Sequence, residues 1–99
     1  MDDSQIKTIH YFITRPLMYI NDLDKETVIA FVHGLEIGSN KTLNLSDKLS
    51  NLVEQKYRIK NRALGWPYQV QKYAEKRDLE WFTGFKELVD ELLVSSQGK

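Results

Sequence analysis

Cysteine is absent from the 99 residues, which excludes disulfides, thiolate metal sites and a cysteine nucleophile. Its absence fits a reducing compartment. No apolar run approaches the ~20 residues that a membrane-spanning helix requires. Charge of neither sign is in excess, because 14 Lys/Arg balance 14 Asp/Glu, so no net field draws the chain to a polyanion. The opening MDDSQIK is acidic and lacks the apolar stretch of a signal peptide. These absences together predict a soluble, cytoplasmic protein. Prolines and glycines are also few, two and five, leaving long stretches free to be helical.

What is present is apolar and aromatic. A hydrophobic content of 41% with 28% charge belongs to a folded chain and not a disordered one. Two Trp, five Tyr and four Phe supply large side chains for a core without staples. The length suits one domain over 1–99, with an ordered core of about 4–94.

Apolar spacing places five helices. Ile6, Ile9 and Ile13 repeat at helical intervals, so the first spans 4–14 and stops at Arg15-Pro16. Asp22 or Asp24 caps a second over 24–38, with Val28, Phe31, Val32 and Leu35 on one face. Ser46 caps a third that reaches Asn61 through Leu49, Leu52, Val53 and Tyr57. Pro67 opens a fourth over 67–76. Asp78 caps a fifth, carrying Phe82, Phe85, Val89, Leu92 and Leu93 and ending in a frayed tail from Ser95. No alternating strand pattern of useful length occurs. The expected fold is an all-α compact bundle of four or five short helices, with the last helix central.

Catalytic and cofactor signatures are missing. His10 and His33 lie on different predicted helices, in no metal-ligand spacing. Ser46 reads as a cap, and no nucleophile elbow or phosphate-binding glycine loop is present. The carboxylate pairs Asp22/Asp24 and Asp90/Glu91 read as caps or solvated faces. The expectation is a protein that is not an enzyme and uses no metal and no cofactor.

Binding signals remain. Residues 46–77 hold eight Lys/Arg against three acids, while 78–94 hold five acids against one lysine. A small nucleic-acid-binding module would use the basic segment 56–77, through Lys56, Arg58, Lys60, Arg62 and Lys72. A protein-binding surface would instead pair an aromatic anchor with arginines. The expected contacts for such a partner are Trp66, Arg62, Tyr68 and Arg58. Gly34 costs its helix about 1 kcal/mol against alanine, which predicts a close helix contact there.

The motifs also carry a resemblance. Arg15-Pro16-Leu17-Met18-Tyr19-Ile20, then Phe31 and Gly34, then Gly65-Trp66, then Phe85 and Leu88 resemble a group of small, mostly uncharacterised bacterial proteins. That group carries R-P-x-M-Y-I, F-x-x-G, Gly-Trp and F-x-x-L in this order. Some of its members look like immunity proteins that neutralise polymorphic toxins. The resemblance implies a non-enzymatic interaction protein with a protein partner. Leu17 and Asn21 stand where glycine is expected around Met18-Tyr19-Ile20, so the turn here differs. For Arg15, Pro16, Met18 and Tyr19 two roles stay open. One is a fold-specifying corner, with Met18, Tyr19 and Ile20 packed across the helices and Arg15 bonded to a helix end, Asp78 or Glu80. The other is a ligand or partner site.

Overall fold

The computed structural model describes residues 2–40, 42–60 and 62–97. Its elements are α1 (Asp3–Thr14), a one-turn 3-10 helix (Pro16–Met18), α2 (Lys25–Gly38), α3 (Leu45–Gln55), a second such turn (Arg62–Leu64), α4 (Trp66–Arg77) and α5 (Trp81–Gln97). The described residues contain five α-helices and no strand, an all-α bundle. None of these helices is long and apolar enough to cross a membrane.

Helix starts follow local chemistry in two cases. The Asp2 carboxylate accepts from Gln5 N, and the Gln5 side chain returns to Asp2 N, a reciprocal box that satisfies two orphan donors. Of the two cap candidates for α2, Asp24 does the work, accepting from Thr27 N at 2.7 Å. For α3 the expected Ser46 cap is replaced by a tertiary one. Asn44 sits at the N-cap in the left-handed region (φ 51°) with no side-chain cap bond. Glu36 of α2 instead reaches across to accept from Ser46 N at 2.8 Å.

Two boundaries differ from expectation because buried side chains redirect the chain. α3 ends at Gln55, not at Asn61, which lies outside the described residues. Arg58 takes a left-handed φ of 57°, turning Ile59 back into the core, where its N–H bonds Val53 O at 3.0 Å. Asp78 does not cap α5. It is the left-handed residue ending α4, with Leu79 N donating to Ala74 O at 2.9 Å and Asp78 N to Glu75 O at 3.2 Å, a Schellman closure. At the other end, α5 continues to Gln97 through the segment expected to fray.

α5 packs against α4, α3 and α1. A row of rings crosses the core: Phe12 stacks on Phe31 at 4.3 Å and meets Phe82 and Phe85 edge-on, and Trp81 stacks on Phe85 at 5.5 Å. The radius of gyration, 12.7 Å, is that of a close-packed chain of about 100 residues.

The close helix approach expected at Gly34 occurs elsewhere. A Cβ on Gly34 would meet nothing within 4 Å, whereas one on Gly84 would lie 2.9 Å from Ala74 Cβ across the α4–α5 contact. Gly34→Ala is therefore expected to stabilise by about 0.5–1 kcal/mol. Gly84→Ala is expected to destabilise. Ala74 Cβ is fixed to its helix and cannot swing away, so an overpacking cost of about 1–3 kcal/mol outweighs the propensity gain. Thermal unfolding of the two variants checks both signs.

Candidate interaction surface

The α1–α2 corner begins where Pro16 stops α1. Arg15 N still donates to Tyr11 O at 2.8 Å, and Pro16 O accepts from both Tyr19 N and Ile20 N at 2.9 and 3.0 Å. With three residues per turn, successive side chains of this tight helix point in different directions. Ile20 packs on the core, and the Tyr19 ring meets Phe12 and Phe31 edge-on while staying 42% exposed. Leu17 and Met18 are left outside, 64% and 75% exposed. The expected packing of Met18 across the helices is thus corrected. Leu17, Met18 and Leu23 line a shallow cleft with Arg15 and Pro16. Arg15 forms no ion pair with Asp78 or Glu80 among the described residues.

The other expected contacts are dispersed. Trp66 is a core residue, only 5% exposed and packed on Trp81 and Phe85, so it is not presented as a surface anchor. Its Nε1 is buried without a hydrogen-bond partner among the described residues. Tyr68 is half-buried on the first turn of α4, with Lys72 Nζ 5.4 Å from its ring centroid. Arg58 is exposed on the loop after α3, and the Arg62 side chain lies outside the described part.

The basic segment and the acidic helix partly neutralise one another. Lys56 Nζ meets Glu91 at 2.7 Å, and Tyr57 Oη donates to the other Glu91 oxygen at 2.7 Å. Arg77 lies over both the Tyr57 and Tyr73 rings, and Tyr73 Oη donates to Glu87 at 2.9 Å. Burial, assisted by that bond, pushes the Tyr73 phenol well above its usual range. Lys72 pairs with Glu75 at 3.5 Å. Lys56 and Lys72 are therefore engaged, while Arg58 and Lys60 remain exposed cations. His10 and His33 are exposed on separate helices, and the described residues hold no group of three or more potential metal ligands.

Burial acts to raise the Glu91 carboxyl, but the bonds from Lys56 and Tyr57 and the charges of Lys56 and Arg77 outweigh it, leaving it below its ordinary 4.5. A depressed carboxyl stabilises the fold above its ordinary value and loses that contribution as pH falls through the folded value. Urea midpoints are expected to drop on acidification through this range, and Glu91→Gln to flatten the drop. An unchanged pH profile in that variant contradicts the assignment.

Leu17 and Leu23 are not among the contact residues expected from the sequence. The available signal was a run of large apolar residues after Pro16 that continues no helical face. No family model matches the chain, and neither a curated protein nor a solved structure matches it.

Proposed function

We propose that the chain is a non-enzymatic interaction protein that binds another protein through the apolar corner between α1 and α2. One observation carries this reading. Of eight large apolar side chains exposed among the described residues, five (Tyr11, Leu17, Met18, Tyr19 and Leu23) fall between positions 11 and 23. Scattered exposed apolar residues need no explanation, but a concentration of them beside a cleft marks a contact surface. Met18 adds a pliable, polarizable side chain that adapts to a partner's shape. The resemblance to immunity-like bacterial proteins names the partner class, a toxin domain neutralised by stoichiometric binding in the cytoplasm.

Co-purification with the products of adjacent genes, and rescue of cells from an adjacent toxin, test the proposal. The pair Leu17→Ser and Met18→Ser is expected to weaken capture about 100-fold, since each anchor contributes upward of 1 kcal/mol. An unchanged circular dichroism spectrum establishes that the variant is folded. Undiminished capture by the variant, or no capture by the parent chain, defeats the reading. Salt-sensitive binding to nucleic-acid probes would favour the basic segment instead, which keeps Arg58 and Lys60 exposed but has Lys56 and Lys72 already paired.

A further inference from the structure

We propose that Met18 is a reversible oxidation site through which a peroxide regulates the apolar corner. This rests on the corner being an interaction surface. Three observations converge on this side chain. The sequence holds no cysteine and two methionines, Met1 and Met18, so no thiol competes for a two-electron oxidant and thioether sulfur is the most readily oxidised group on offer. Met18 is 75% exposed, more than any of the other large apolar side chains of the corner. It also lines the cleft with Arg15, Pro16, Leu17 and Leu23, so a change in its polarity falls on the proposed contact surface itself.

Hydrogen peroxide supplies the oxygen. The thioether sulfur attacks one peroxide oxygen, the O–O bond breaks, an S–O bond forms and the other oxygen leaves as water. Sulfur loses two electrons and the peroxide gains them. A dithiol reductase reverses the step, removing the oxygen as water while its own thiols close to a disulfide. The sulfoxide is polar and places a hydrogen-bond acceptor where apolar surface was. The Arg15 guanidinium, which has no ion-pair partner among the described residues, lines the same cleft and can donate to it. The fold does not depend on the change, because Met18 is not part of the core. The bonds that hold the turn, Met18 N to Arg15 O at 3.1 Å and Tyr19 N to Pro16 O at 2.9 Å, are between backbone atoms. Oxidation therefore removes apolar attraction from the corner while the bundle stays intact.

Dilute hydrogen peroxide on the full chain, followed by peptide mass spectrometry, tests this directly. The added oxygen is expected on Met18 at a rate close to that of a free methionyl peptide, with an unchanged circular dichroism spectrum and urea midpoint. On a hydrophobic-interaction column the oxidised chain is expected to elute earlier. Treatment with both methionine sulfoxide reductases, one for each epimer, is expected to restore the original retention. Met18→Leu keeps the apolar surface without the sulfur and is expected to show no peroxide-dependent shift, which separates Met18 from Met1. Where the parent chain captures a partner, oxidation is expected to weaken capture about tenfold and to leave capture by Met18→Leu unchanged. Oxygen on Met1 alone, a reaction far slower than that of the free peptide, an equal retention shift in Met18→Leu, or undiminished capture by the oxidised parent overturns the proposal. No capture by the reduced parent defeats the proposed function instead, and the oxidation and retention measurements then decide this proposal alone.

Discussion

Phe12→Ala is expected to lower the unfolding free energy by about 3–5 kcal/mol, the usual cost of emptying a large aromatic site. Phe12 is fully buried and its ring joins α1 to both α2 and α5. It stacks on Phe31 of α2 and touches Phe82 and Phe85 of α5, besides the Tyr19 ring at the corner. Alanine removes the shared partner of all four, and side chains anchored on three separate elements cannot close on the gap together. Domains of this size have about 5–15 kcal/mol in total, so the loss consumes much of the margin. Urea unfolding monitored by tryptophan fluorescence measures it. A loss below about 1.5 kcal/mol would mean that the aromatic row relaxes around the cavity. Because Tyr19 rests on Phe12, the variant is also expected to loosen the corner and weaken partner capture.

The second large effect concerns a polar residue. Gln69 of α4 is fully buried. Its carbonyl oxygen accepts from Ser50 Oγ at 2.7 Å, and its amide nitrogen donates to Ile59 O and to Glu54, each at 3.3 Å. One side chain thereby joins α3, α4 and the loop that follows Arg58. Gln69→Leu keeps the volume but strands the Ser50 hydroxyl and the Ile59 carbonyl. Each stranded group costs about 1–3 kcal/mol, so a net loss of about 2–4 kcal/mol is expected. Adding Ser50→Ala should recover part of it, because the hydroxyl then needs no partner. A double-mutant cycle that returns no coupling between Ser50 and Gln69 would show that the bond contributes nothing.

Gln69 also shows why part of this protein was unreadable from its sequence. Periodicity assigns polar residues to the outside, and nothing near position 69 marks it otherwise. Burial of its amide is tolerated only because acceptors and donors from two other elements converge on it. Trp66 shows the reverse error. Its neighbours Gly65 and Pro67 announce a break in the chain, where an exposed anchor is expected. The indole instead lies against Trp81 and Phe85, a placement fixed by how α4 crosses α5. The corner was legible as a stop, since Pro16 cannot continue a helix, but not as a surface. That Leu17 and Met18 face outward follows from the tight turn, which sends Ile20 to the core and lays the part-exposed Tyr19 ring against Phe12 and Phe31.

The sequence by itself determined the helical class, the apolar stripes of the helices, a cap for α2 among Asp22 and Asp24, of which Asp24 serves, and the break at Arg15-Pro16; the cap at Asp2 is equally local but appears only in the structure. These depend on interactions within about one helical turn, which adjacent residues settle among themselves. Only the tertiary structure decided where α3 stops, which glycine meets a neighbouring helix, how Lys56 and Glu91 pair, and which apolar side chains stay uncovered. Those outcomes depend on groups far apart in the chain competing for a limited core. Leu17, Met18 and Leu23 lost that competition, and the functional proposal rests on them.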